Sequence, residues 1–96
     1  MTQTTTVTIT NTSQVDVNQL ISELEELHPL DFRLAFGLTH EEAAEELCLE
    51  PQTMRAYSKK NPSRRVMKLA ATIAKGWLSG DGERQLVDAQ FIINSR

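Results

Sequence analysis

Closely spaced helix-boundary signals divide the chain into short segments and so limit what it can fold into. They are N-cap residues, prolines that suit a first helical turn and glycines that suit a helix end: Asp16, Pro29, Gly37, Thr39, Pro51, Asn61-Pro62 and Gly80. A polar cap accepts a hydrogen bond from a free N–H group of the first turn, and proline has no N–H to leave unpaired there. Glycine readily adopts the left-handed conformation that often follows a last turn. The pattern predicts an all-α fold in a single small domain of five or six helices.

Apolar residues recur with helical spacing inside these segments. The predicted helices run from about Asp16 to Leu27, Leu30 to Phe36, His40 to Cys48, Pro51 to Lys60 and Asn61 to Leu78. Their predicted buried faces are Val17, Leu20, Leu24 and Leu27 in the first, Leu30, Leu34 and Phe36 in the second, and Val66, Leu69, Ala70, Ile73 and Trp77 in the last. The segment 86–93 suits either a further helix or a short terminal strand.

The first 14 residues, MTQTTTVTITNTSQ, form a Thr-rich segment without charge. Thr4 to Thr10 alternates threonine with Val7 and Ile9, which is a weak strand pattern with no evident partner strand. We therefore expect a short, flexible Thr-rich tail over 1–14 and a helical domain over 15–96. Strand exchange with a second copy of the chain is the alternative.

Length and composition favour one small domain in a reducing compartment. The chain has 96 residues, of which 40% are hydrophobic, and a domain of that size buries roughly 60–65% of its unfolded-chain surface. Cys48 is the only cysteine, so no internal disulfide can form. No apolar run approaches the ~20 residues of a membrane span, and the N-terminus lacks the features of a secretory signal. These observations predict a cytoplasmic protein that does not bind membranes.

Acidic and basic residues are separated along the chain, although the net charge is only −3. The segment 16–50 contains ten carboxylates against the single Arg33, whereas 51–79 contains seven Lys or Arg and no Asp or Glu. A partner meets this local field rather than the mean charge. The basic segment therefore favours a polyanionic partner. The alternative is a solvated surface that the acidic segment neutralises within the fold.

The third and fourth predicted helices have the pattern of a helix-turn-helix. Ala44 is small enough to let the two backbones approach closely, while Leu47 and Leu49 flank the turn. Met54 and Tyr57 point inward from the second helix. The third helix begins at a capping box, Thr39-His40-Glu41-Glu42, in which the first and last side chains each bond the other's backbone N–H.

The stretch GLTHEEAAEEL, residues 37–47, resembles the helix-turn-helix DNA-binding regulators of the phage-repressor type. The resemblance covers about a third of the chain, roughly Arg33 to Lys60, and lies in general motif features. The sequence departs from the family pattern at Cys48, because that turn position usually holds a glycine with a positive φ. The resemblance implies a small transcriptional regulator that places its second helix, residues 51–60, in the major groove of double-stranded DNA.

The side of this second helix opposite its buried face carries the candidate base-reading residues Gln52, Arg55, Ala56 and Lys59. Glutamine pairs bidentately with adenine, arginine pairs bidentately with guanine, and an alanine methyl contacts the methyl group of thymine. Residues that hold phosphates fix the register of the protein on the duplex. The candidates for that role are Thr53, Ser58, Lys60, Arg64 and Arg65.

Partner predictions follow from this motif. One recognition helix gives limited affinity, so we expect a homodimer that reads half-sites ~34 Å apart. Residues 16–27 or 86–93 are the candidate dimer interfaces. Two alternatives remain. One is a protein-interaction module that keeps the helix-turn-helix shape and binds a basic partner through its acidic helix. The other is non-specific DNA binding or RNA binding, in which the basic stretch acts only through its charge.

No pattern in the sequence indicates catalysis or metal binding. His28, His40 and Cys48 are the only imidazole and thiol side chains, and their spacing does not match a zinc site. Neither G-x-x-x-x-G-K-[ST] nor G-x-G-x-x-G occurs, and no nucleophile has a base at a recognisable spacing. We therefore expect no catalytic residues, no metal and no cofactor, and the sequence does not predict an enzyme.

Overall fold

The computed structural model describes residues 6–8, 14–80 and 84–94. Within these ranges six helices follow two short strands. The strands are β1 (Thr6–Thr8) and β2 (Gln14–Asp16), and the helices are α1 (Val17–Glu23), α2 (Pro29–Ala35), α3 (His40–Glu46), α4 (Pro51–Ala56), α5 (Arg64–Leu78) and α6 (Gln90–Ile93). The prediction of an all-α small domain is confirmed.

The two strands precede the helices as an antiparallel pair. Val7 lies opposite Val15, with Thr6 opposite Asp16 and Thr8 opposite Gln14. The sequence pattern indicates the strand around Val7 but not its partner strand, because three residues are too few to show alternation. The rest of the Thr-rich tail, residues 1–5 and 9–13, lies outside the described residues.

Helix α1 ends earlier than its apolar pattern predicts. Its last residue is Glu23 rather than Leu27, so the predicted boundary is wrong. The Leu27 N–H donates to the Met67 carbonyl of α5 at 3.0 Å, and this contact between segments replaces a helical hydrogen bond. Leu24 and Leu27 are nonetheless fully buried.

Helix α2 begins at Pro29 and is capped by the imidazole of His28, whose Nδ1 accepts from the Leu30 N–H at 3.1 Å. Its buried residues are Pro29, Phe32 and Ala35. Leu34 is 37% exposed, so the prediction that it faces inward is wrong. Two residues advance a helix by about 200°, which places Leu34 on the side opposite Phe32.

Helix α5 begins two residues after its predicted cap. Ser63 is the N-cap, with its hydroxyl accepting from the Val66 N–H at 3.3 Å. The predicted start at Asn61-Pro62 is therefore wrong, and Pro62 is buried in the connection before the helix. The buried face contains Ala70, Ala71 and Ala74, while Val66, Ile73 and Trp77 are half-buried at its edge. Leu69 is 36% exposed, contrary to the prediction.

The C-terminal segment forms a helix, α6, and not the short terminal strand that the sequence also allowed. Just before α6, the N–H groups of Val87 and Asp88 donate to the Ala35 carbonyl at 2.7 and 3.0 Å. Ala89 and Ile92 are fully buried in the core. This segment therefore closes the core against the end of α2.

Aromatic packing joins α2 to α5 at the centre of the domain. The Trp77 ring stacks on Phe32 with centroids 5.2 Å apart and meets the Phe36 ring edge-on at 4.9 Å. The core cluster also includes buried residues of α3 and α4, so the helix-turn-helix packs directly against the core of the domain. None of the described helices has the length and apolarity that crossing a membrane requires.

Candidate nucleic-acid interface

The start of α3 is fixed by the predicted capping box. The Thr39 hydroxyl accepts from the Glu42 N–H at 3.0 Å, and the Glu42 carboxylate accepts from the Thr39 N–H at 2.9 Å. The Thr39 hydrogen bond lowers the pKa of Glu42, and the charge of Arg84, whose Nη2 is 3.7 Å from the carboxylate, contributes to the shift. The predicted capping box at the start of α3 is thus confirmed.

Cys48 occupies the turn position that needs a positive φ, with a φ of 58°. The Leu49 N–H donates to the Ala44 carbonyl at 2.8 Å, and the Cys48 N–H donates to the Glu45 carbonyl at 3.3 Å. These are the two bonds of a Schellman motif, which usually has glycine at this position. The turn after α3 therefore has Schellman geometry with a cysteine where glycine is usual.

Small and apolar residues join α3 to α4. Ala44, Leu47, Met54 and Tyr57 are all buried, and the Met54 side chain has no exposed surface. The predicted inward orientation of Met54 and Tyr57 is confirmed. Helix α4 ends at Ala56 and not at Lys60, so its predicted length is wrong.

The chain leaves the helix where the N–H groups of Lys59 and Lys60 both donate to the Ala56 carbonyl, at 2.9 and 3.0 Å. Two donors on one carbonyl end the regular i to i−4 pattern. The buried Pro62 follows shortly afterwards. The four predicted base-reading residues are therefore divided between a helix and a turn.

Gln52, Arg55 and Ala56 lie on α4. Gln52 and Arg55 are exposed and Ala56 is half-buried, whereas Lys59 is exposed in the turn after the helix. The prediction that all four share one helical face is thus correct for three. Lys59 lies beside Lys60 in the turn that follows α4.

The predicted phosphate-contacting residues also fall into distinct environments. Lys60 follows Lys59 in the turn, and Arg64 and Arg65 form the exposed first turn of α5. Thr53 is half-buried on α4, and the Ser58 hydroxyl donates to the Arg55 carbonyl at 3.1 Å. Lys59, Lys60 and Arg65 make no ion pair with any residue that the structure describes.

Two of the basic candidates are ion-paired with acidic residues from other segments. Arg55 Nη2 contacts Glu41 Oε2 at the start of α3. Arg64 Nε donates to Glu26 Oε2 at 2.7 Å. A hydrogen bond from its own backbone N–H lowers the pKa of Glu41, and the charge of Arg55 lowers it further.

Neither acidic partner is evident from the sequence. Glu41 and Arg55 are 14 residues apart, and Glu26 and Arg64 are 38 apart, so no local spacing rule links them. The sequence pattern that comes closest is the sign reversal at Pro51 combined with the helix-turn-helix register, since that register brings the start of α3 near the exposed side of α4.

No three His, Cys, Asp or Glu side chains come together as a possible metal site in the part of the chain that the structure describes. Comparison with known proteins supplies no relative: no family model, no curated protein and no solved structure matches this chain.

Proposed function

We propose that this chain is a sequence-specific double-stranded DNA-binding protein of the helix-turn-helix type, and that it acts as a small transcriptional regulator in the cytoplasm. The observation that carries the proposal is the exposure of Gln52 and Arg55 on α4, directly after a tight turn with Cys48 at positive φ. The packing of Met54 against α3 directs these two side chains outward.

The chemistry of this exposed side suits the edges of base pairs. Gln52 supplies an amide that pairs with adenine through one donor and one acceptor, and Arg55 supplies the fork that pairs with guanine O6 and N7. Ala56 offers a methyl group beside them. Helix α4 has six residues, Pro51–Ala56, so the helix can present one such row of side chains to a major groove.

The cations next to α4 suit the phosphate backbone. Lys59 and Lys60 extend from the turn, and Arg65 extends from the first turn of α5. Each cation that neutralises a phosphate releases condensed counterions, so binding should weaken steeply as salt is added. These residues set the register of the protein on the duplex while α4 reads the bases.

A homodimer completes the proposal, because one six-residue recognition helix contacts few bases. Two copies related by a two-fold axis read half-sites about one helical turn apart. The segment around Val87, which is 63% exposed, and helix α1 remain the two candidate interfaces.

Selection of binding sites from a pool of random duplexes tests the proposal. The expected result is enrichment of a short palindrome containing guanine and adenine, and loss of preference at one base position in the Arg55→Ala variant, with a cost of ~1–3 kcal/mol. Equal weakening on all sequences indicates binding through charge alone. Absence of enrichment contradicts sequence-specific recognition.

A second candidate function, a protein-interaction module, is favoured by a separate observation. Arg55 and Arg64 are ion-paired within the fold, whereas Glu45, Glu46 and Glu50 make no ion pair with the described residues. An acidic surface of this kind suits a basic partner. Strongly salt-dependent binding to random duplex DNA counts against this candidate, and tight binding of a basic protein partner with no affinity for DNA supports it.

A further inference from the structure

We infer that Glu41 is a positioning residue for Arg55: it holds the guanidinium in the orientation that reads guanine, and it remains in contact with Arg55 when DNA is bound. This inference rests on the proposed function, because it assigns Arg55 a base to read. It adds a determinant of specificity on α3, the helix that supports the recognition helix.

Glu41 is itself held in place at the start of α3. The Thr39–Glu42 capping box fixes the first turn of that helix, and a hydrogen bond from its own backbone N–H lowers the pKa of the Glu41 carboxyl. The buried contact of Ala44 and Leu47 with the core fixes α3 as a whole. The backbone that carries Glu41 is therefore fixed relative to α4, and the exposed Glu41 carboxylate contacts Arg55 from that position.

Arg55 lies in the last turn of α4 and reaches Glu41 through Nη2 alone. A guanidinium carries five N–H donors, and a bidentate contact with guanine uses two of them. One donor can stay on Glu41 while two others bind O6 and N7. Contact with Glu41 and contact with guanine are compatible, so DNA does not have to displace the carboxylate.

The contact with Glu41 affects the affinity for the specific DNA site differently from the affinity for other DNA sequences. A long arginine side chain loses rotamer freedom when it docks, and a side chain that is already held loses less. The Glu41 charge also repels phosphates, which disfavours alternative positions of Arg55 on the DNA backbone. Both effects raise the ratio of specific to non-specific binding.

The test compares Glu41→Gln with the matched control Glu45→Gln. Glu45 is an exposed residue of the same helix and makes no ion pair with the described residues, so both variants remove one charge from α3. Affinity is measured for the selected duplex and for a duplex altered at the base position where Arg55→Ala loses its preference. Thermal unfolding of each variant checks that the fold is retained.

Glu41→Gln is expected to lower the ratio of the two affinities about 1.5- to five-fold, the range of an exposed ion pair, while Glu45→Gln leaves the ratio unchanged. In an Arg55→Ala background the Glu41→Gln effect should vanish, since the residue acts only through Arg55. A shift that persists in that background, or that equals the shift of Glu45→Gln, overturns the inference. Absence of any preferred duplex overturns the proposed function and the inference together.

Discussion

Cys48 holds a left-handed backbone conformation, which costs an L-amino acid about 1–2 kcal/mol relative to ordinary conformations. Glycine takes the same position at Gly37 and Gly80, where φ is +66° and +91°. The cysteine side chain is exposed, so no buried contact offsets the cost of its backbone. The helix-turn-helix thus contains a strained residue at the point where α3 passes into α4.

Cys48→Gly is expected to raise the free energy of unfolding by about 0.5–1 kcal/mol, the relief of strain less the added freedom of glycine in the unfolded chain. Urea denaturation measures the change. Cys48→Ala is the matched control, because it removes the thiol and keeps the Cβ, and its stability should equal that of the wild type. A glycine variant less stable than the alanine variant contradicts the account.

Glu42 makes stability depend on pH. Its pKa is lowered from the ordinary value of 4.5 in the folded state, so its contribution is fully present above that value and is lost as the pH falls through the lowered pKa. The wild type should lose unfolding free energy between neutral pH and about pH 3.5, and Glu42→Gln should lose less. Urea unfolding at the two pH values measures this. Glu45→Gln, which keeps the capping box, should behave as the wild type, and an identical pH dependence of the two variants contradicts the role of Glu42.

At the scale of elements, α4 depends on packing for its existence. It has six residues, well below the ~12–15 residues that an isolated helix needs. Met54 anchors it, since that side chain is fully buried against the core while Gln52 on the same helix is exposed. One face of α4 therefore packs against the core, and the proposed recognition residues lie on the other face.

Met54→Ala is expected to cost about 2–5 kcal/mol of unfolding free energy, the range for a buried methionine. Gln52→Ala on the same helix should change stability by less than about 0.5 kcal/mol, yet lose preference at one base position of the selected duplex. Chemical denaturation and duplex binding separate the two effects. Comparable destabilisation by both variants is incompatible with the outward orientation of Gln52.

The starts of α3 and α4 were predicted correctly, whereas the ends of α1 and α4 and the start of α5 were not, for a physical reason. The capping box at Thr39 and the first-turn proline at Pro51 act through local hydrogen bonds, and both form as predicted. After helix α1 ends at Glu23, Leu27 bonds to Met67 of α5, and that contact joins residues far apart in sequence. Glu41 was not predicted as the partner of Arg55 for the same reason, because the two residues lie in different helices. The inward orientation of Met54, by contrast, followed from helical periodicity.

At the scale of the whole molecule, the acidic and basic stretches of the chain form different elements that pack against each other. The basic stretch supplies α4, the turn after it and the first turn of α5, while the acidic stretch supplies α3. Ion pairs join the two at Arg55 and Arg64. The remaining cations near α4 define the side that the proposal turns toward DNA.

Replacing Lys60 and Arg65 by alanine should reduce the slope of log K against log salt concentration by about 2, since each phosphate contact contributes ~0.9. The base preference should be unchanged, because phosphates carry no sequence information. Lys75→Ala removes a cation in the last turn of α5, about 15 Å along the helix from Arg65 at a rise of ~1.5 Å per residue, and should leave the slope unaltered. If Lys75→Ala reduces the salt slope as much as the double variant at Lys60 and Arg65, only the total charge of the protein determines its binding to DNA.

Amide chemical-shift mapping on addition of duplex DNA at low salt tests the central claim most directly, because it reports which residues meet the duplex. The account predicts perturbations concentrated over 51–65, in α4, the following turn and the first turn of α5, and their loss as salt is added. Perturbations confined to the acidic side of α3 and to α6, or none at all at low salt, would contradict it.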